Sequence, residues 1–155
     1  MRLLTIISLV FLFPFLGLTQ NDSIEIRGLV LNLFDGMRQS DTTAMRDCFH
    51  EQCNMFTAVG KEGESKLFSS EVADFIKSVG KEHKEIYDER LGSYTIKIDD
   101  LLASMEVEYY FFLDDSFSHC GTNFFSFFKS NGQWKIYNIA DTRRIENCEV
   151  PENTW

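Results

Sequence analysis

The chain has 155 residues, 44% hydrophobic and 25% charged, with 24 acidic against 15 basic side chains and a formal charge of −9. So acidic a protein repels nucleic acid and anionic lipid, and its length suits one domain with a core of its own rather than two. Four cysteines and three histidines are scattered without zinc spacing, so neither a metal nor a cofactor is expected.

Met1-Arg2 precedes an apolar run from Leu3 to Leu16, broken only by Thr5, Ser8 and Pro14, and then Gly17-Leu18-Thr19-Gln20. A charged start, an apolar stretch and small residues make a signal peptide. The run is too short for a span of about 20 apolar residues, and its proline argues the same way. Residues 1–19 are therefore expected to be a removable leader, and 20–155 a single exported domain with no membrane contact after cleavage. Cleavage removes Arg2, which makes the mature chain more acidic still.

Asp22 and Glu25 resemble a capping box, and Ile26, Leu29, Val30, Leu33, Phe34 and Met37 recur at helical spacing, which predicts a first helix over 23–38. Ser40-Asp41 opens a second, shorter helix ending near His50. Residues 52–59 read as a strand, the charged stretch 61–66 as a turn, and 66–69 as a short return strand. Val72, Phe75, Ile76 and Val79 mark a third helix, stopped by Gly80. Alternating runs over 85–98, 101–113, 117–128 and 133–145, separated by Asp99-Asp100, Asp114-Asp115-Ser116 and Ser130-Asn131-Gly132, predict a four-stranded meander.

Turn positions fix lateral neighbours, and strand faces alternate with a period of two. With Ile98 opposite Leu101, Leu113 opposite Phe117 and Lys129 opposite Gln133, the face bearing Met105, Val107, Tyr109 and Phe111 is the buried one. Its apolar end holds Tyr94, Met105, Phe125 and Tyr137 in one row. Its other end gathers Asp88, Arg90, Tyr109, His119, Asp141 and Arg143, with Gly121 leaving an empty place. Buried charges are costly unless paired, so this end is either an internal ion-pair network or a wet cavity that accepts a ligand.

The element order resembles the nuclear transport factor 2-like superfamily over nearly the whole mature chain. Within it, Phe117-Ser118-His119-Cys120-Gly121, Gly132-Gln133-Trp134-Lys135-Ile136 and Asp141-Thr142-Arg143-Arg144 resemble the exported bacterial branch labelled "putative lumazine-binding". The resemblance implies an α+β, cone-shaped fold of three N-terminal helices on a curved, mainly antiparallel sheet, with a cavity between them. It also implies a periplasmic or secreted protein, and sheet-to-sheet dimers. Some relatives isomerise, dehydrate or cyclise their ligands and others only bind them, so the fold does not settle the function.

Binding of a small molecule is the favoured reading, with Arg90, Tyr109, Asn123, Arg143, Tyr94, Phe125 and Asp88 as ligand contacts. In the alternative, a cofactor-independent lyase or isomerase, His119 serves as acid or base oriented by Asp141, Tyr109 donates to an oxyanion, and Arg90 or Arg143 holds an anionic group. A third reading concerns the outer face. Tyr87, Leu91, Leu102, Tyr110, Phe112, Phe124, Phe128, Trp134 and Ile136 are assigned there, too much apolar surface for a soluble monomer to leave bare, so a homodimer is expected. Disulfides are admissible in an oxidising compartment, but Cys48, Cys53, Cys120 and Cys148 leave three connectivities open. Pairing Cys48 with Cys53 would leave Cys120 with Cys148, which requires the tail to fold back.

Overall fold

The structure, a computed structural model, describes residues 15–61 and 63–155. Helices α1 (Phe15–Gln39) and α2 (Thr42–Cys48) precede a hairpin of β1 (Phe49–Lys61) and β2 (Glu64–Ser70). Helix α3 (Val72–Val79) follows, then a meander of β3 (Tyr87–Asp99), β4 (Leu102–Leu113), β5 (Ser116–Ser130) and β6 (Gln133–Arg143). All six strands form one curved sheet in the order β2-β1-β6-β5-β4-β3, antiparallel except where β1 runs parallel to β6. The α+β class, the N-terminal helices and the mainly antiparallel sheet are as expected from the sequence. Most of the expected leader lies outside the described residues, and no helix among the described residues is long and apolar enough to cross a membrane.

Helix α1 buries Ile26, Val30, Leu33, Phe34 and Met37, one stripe at spacings of three and four, against the sheet. Asp22 does not cap this helix. It lies within it and reaches across to the sheet, where its carboxylate accepts from Lys129 Nζ at 2.5 Å and Trp134 Nε1 at 3.0 Å. The α1–α2 turn needs a left-handed residue, Ser40 at φ 55°, and Asp41 then caps α2 by accepting from the backbone N–H groups of Thr43 and Ala44. A Cβ at Gly36 would lie 2.9 Å from Met45 Cγ, so the glycine lets the two helices meet closely.

Two-residue turns join the meander, and Asn131 and Gly132 both adopt positive φ, at 51° and 81°, as a tight hairpin requires. β4 and β5 pair in the expected register from Leu102↔Phe128 to Phe111↔His119. The outer two strands do not. On β3, Gly92 and Ser93 together oppose Glu108, a bulge that shifts Tyr87–Leu91 by one residue and turns Tyr87, Glu89 and Leu91 inward. On β6, Tyr137 is the extra residue opposite β5, so Trp134 and Ile136 point into the core.

These two bulges correct the face assignment. Asp88 and Arg90 face outward, where Arg90 Nε bonds Asp88 Oδ2 at 2.7 Å and the guanidinium lies 4.0 Å from the centre of the Phe112 ring. Of the nine residues assigned outside, Tyr87, Leu91, Trp134 and Ile136 belong to the inner core. Tyr110 and Phe112 do face outward but are covered by the C-terminal segment, which folds back and is stapled by the Cys120–Cys148 disulfide. Leu102 and Phe124 remain about half exposed. Trp155 ends the segment by exchanging backbone hydrogen bonds with Leu91 at the bulge, covering part of the β3 edge. Cys48 and Cys53 are free thiols.

Candidate functional site

Between α1, α3 and the inner face of the sheet lies a cavity of about 360 Å³. Leu33, Phe34 and Met37 of α1, Phe75 of α3, and Met55, Phe125 and Ile139 of the sheet give it an apolar wall. Helical spacing places the first three on one face of α1, and strand alternation places Phe125 and Ile139 directly opposite each other. Thr57, Glu89, Tyr109, Asn123, Asp141 and Arg143 form its polar end.

Two hydrogen-bonded groups organise that end. Asp141, beside Thr57 through the parallel β1–β6 pairing, accepts from Thr57 Oγ1 at 2.6 Å and from Tyr109 Oη at 3.2 Å. Arg143 stands 3.8 Å from the same carboxylate, within ion-pair range but beyond a hydrogen bond. Glu89 accepts from Asn123 Nδ2 at 2.7 Å, and its other oxygen makes no hydrogen bond among the described residues. No fully buried side-chain polar atom among them lacks a partner, so that oxygen is accessible, on a residue that lines both this cavity and the groove beside α1.

Burial dominates the electrostatics of Glu89 and pushes its carboxyl up to about 8; the nearby Asp141 charge adds to the rise, while the Asn123 hydrogen bond and Arg143 oppose it. At neutral pH Glu89 is therefore mostly protonated, an O–H donor rather than a charge. Burial likewise raises the Tyr109 phenol, with Asp141 and Glu89 adding to the effect, so it remains a hydroxyl. Gly121 has a different role from the empty place expected of it. A Cβ there would lie 1.8 Å from Thr142 O and 2.7 Å from the Tyr109 ring, so the glycine makes room for both. Tyr109 Oη, 3.0 Å from Thr142 O and 3.2 Å from Asp141, shares its single hydrogen between the two acceptors.

Of the residues proposed from the sequence, Tyr109, Asn123, Phe125, Asp141 and Arg143 line the cavity. Arg90 and Asp88 do not; they line a separate groove against Asp35, Arg38 and Trp155. Tyr94 packs edge-on against Trp155 at 5.2 Å, with Arg27 beside both rings. His119 lies next to the cavity but makes no hydrogen bond to Asp141. Its ring leans on Phe111 at 4.9 Å and Tyr109 at 5.8 Å, and its Nδ1 is 3.0 Å from Ser118 Oγ. Burial and the Arg143 charge push it down to about 4, so it is neutral at pH 7. Sequence reasoning missed Glu89 and Thr57; the available signal for Glu89 was a glycine inside a strand, which often marks a bulge.

A helix layer over a curved sheet, enclosing a cavity of this kind, defines the nuclear transport factor 2-like class, and solved structures agree. A nuclear transport factor 2-like protein of unknown function from Shewanella baltica superposes with a TM-score of 0.62 at 17% identity, covering 81% of this chain and 95% of its own. A nuclear transport factor 2-like protein with a cystatin-like fold from Novosphingobium aromaticivorans gives 0.64 at 15%, covering 87% and 88%. A protein described as a putative scytalone dehydratase from the same organism gives 0.69 at 12%, covering 88% and 93%. Residues 21–140 match the family model described as "Putative lumazine-binding", and the chain belongs to that family. No curated protein matches it.

Proposed function

We propose that the chain is an exported small-molecule-binding protein whose cavity holds a compact ligand with a flat, largely apolar body and polar substituents at one edge. The observation that carries this reading is that the polar end is not consumed by its own contacts. A structural ion-pair network would close on itself, whereas here Glu89 keeps an open oxygen and Arg143 meets Asp141 only at 3.8 Å. The cavity volume falls at the small end of the usual range for ligand sites, about 300–1,000 Å³, and an aromatic wall with a few convergent polar groups is their usual lining. The family description adds support for an occupied cavity.

The test is direct. Native mass spectrometry of protein purified from its own host should show a retained small molecule, or titration with lumazine should raise the melting temperature. Ser78→Trp, at the α3 wall of the cavity, should abolish either signal. Binding that ignores this obstruction would place the ligand elsewhere and defeat the reading.

A second reading, acid–base catalysis of the isomerase or lyase kind, is favoured by one observation. Of the three carboxyl groups that line the cavity, Asp74 on α3 is exposed, while the two on the sheet sit in different settings. Glu89 is protonated near neutrality and Asp141 is held by hydroxyl donors, a division by which acid and base roles are assigned. The pair would replace His119 with Asp141, which are not bonded. Ligand C–H exchange in deuterated buffer, lost in both Glu89→Gln and Asp141→Asn, would support it; a bound ligand that never exchanges would leave binding alone.

Export and dimerisation complete the proposal. Amino-terminal sequencing should find the mature chain starting near Gln20, and retention of Met1 would refute cleavage. The dimer would use the patch around Leu102 and Phe124, smaller than the nine-residue face first assigned, and a monomer in light scattering at high micromolar concentration would dismiss it.

A further inference from the structure

Arg143 lines two hollows at once. It closes the polar end of the inner cavity, and with Val59, Ser118, His119, Arg144 and Glu146 it also lines a shallower hollow of about 700 Å³ at the rim of the sheet. The strand pairing explains the continuity. Thr57 in the inner cavity and Val59 in the outer hollow are successive same-face residues of β1, paired with Asp141 and Arg143 of β6.

The guanidinium at this junction has donors to spare. It carries five N–H groups in a planar fork that fits a carboxylate or phosphate in bidentate fashion. Its neighbour Asp141 does not use that fork, since the separation is 3.8 Å and both carboxylate oxygens already accept from Thr57 and Tyr109. The Arg143 side chain is 49% exposed, so it is reachable from the outer hollow. Arg144 adds a second positive charge there against the single acid Glu146, in a chain whose formal charge is −9. Asp141 offsets part of this charge from the cavity side, so the attraction for an anion at the rim rests on the Arg143 donors that Asp141 leaves unused.

We propose that the ligand is an organic anion, its flat body in the inner cavity and a carboxylate or phosphate group extending past Tyr109 to the Arg143 fork, with Arg144 and His119 beside it. This rests on the reading of the inner cavity as a ligand site and adds the ligand's chemical class. Neutral Glu89 fits the same picture, because an O–H donor beside the ligand body does not repel a molecule that is already negative, whereas a second buried carboxylate would.

Two fluorescent probes separate the parts of the proposal: anilinonaphthalenesulfonate and its sulfonate-free parent, N-phenylnaphthylamine. The wild type should bind the sulfonate about tenfold to a hundredfold more tightly than the parent, the usual gain from a charge-assisted hydrogen-bonded contact. Arg143→Gln should erase that preference, bringing the ratio of the two affinities close to one, and Arg143→Lys should keep part of it. Ser78→Trp should weaken both probes. If the sulfonate has no advantage in the wild type, or keeps it in Arg143→Gln, the anionic subsite is overturned while the cavity reading stands. If both probes bind regardless of Ser78→Trp, the cavity reading falls and the subsite with it.

Discussion

At one end of the sheet's inner face Met105, Phe127 and Ile136 are sealed in a common core with Ile26 and Val30 of α1; at the other, Glu89, Asn123 and Asp141 face a cavity. The same strands build both ends, but they are specified differently. The apolar end tolerates ambiguity of register, because β6 offers Trp134 and Ile136 on one face and Tyr137 on the other, and either set would cover hydrophobic neighbours. The polar end tolerates none. Glu89 and Arg90 are adjacent, and a single extra residue at Gly92-Ser93 decides whether the cavity receives a neutral acid or a cation.

The largest effect should come from breaking the apolar end. Phe127 has no exposed area, and Phe127→Ala would remove a whole aromatic side chain from close-packed surroundings, at a cost of about 3–5 kcal/mol in urea unfolding. A loss below about 1 kcal/mol would mean that this end is loosely packed and that the contrast with the cavity is false.

The polar end should declare itself through pH. Glu89 has a raised folded value, about 8 against 4.5, so the folded state binds the extra proton and stability declines as pH rises between those values. His119 acts in the opposite sense: its folded value, about 4 against 6.5, makes stability rise with pH over that lower window. The two contributions oppose each other below pH 6.5 and leave Glu89 alone above it. Unfolding free energy should therefore fall by about 2 kcal/mol from pH 6.5 to 8 and then level off, and Glu89→Gln should flatten the decline. A wild-type profile already flat over that interval would show that Glu89 is hydrated and ionised.

These contrasts also explain what the sequence could disclose. Helix α3, the hairpin and the β4–β5 pairing were legible because periodicity and turn chemistry act locally and agree. Tyr109, Asn123, Phe125, Asp141 and Arg143 were placed in the cavity because their strands keep an even register there. Tyr94 keeps its face but is taken up by Trp155 and Arg27, whereas Asp88 and Arg90 were misplaced for a physical reason. A bulge inverts every side chain beyond it, and the exchange of hydrogen bonds between Leu91 and Trp155 couples two segments distant in sequence. Thr57 escaped notice because its partnership with Asp141 depends on a parallel pairing between the first strand and the last. No local pattern announces such a pairing.

The smallest expected effect is the sharpest test of the bulge. If Gly92 and Ser93 turn β3 as described, Arg90 lies outside, bonded to Asp88 and resting on Phe112 in a partly exposed setting. Contacts of that kind contribute about 1 kcal/mol or less, so Arg90→Gln should scarcely move the melting curve. It should also leave the affinity for anilinonaphthalenesulfonate within about twofold of the wild type, since a charge outside the cavity makes no direct contact with a bound probe. Glu89→Gln, one residue away, preserves shape while removing the titration, and should abolish the pH dependence that Arg90→Gln retains. An unbulged strand would exchange these roles. Arg90→Gln would then cost the probe about tenfold in affinity, as the loss of a hydrogen-bonded charge does, and Glu89→Gln would be silent at every pH.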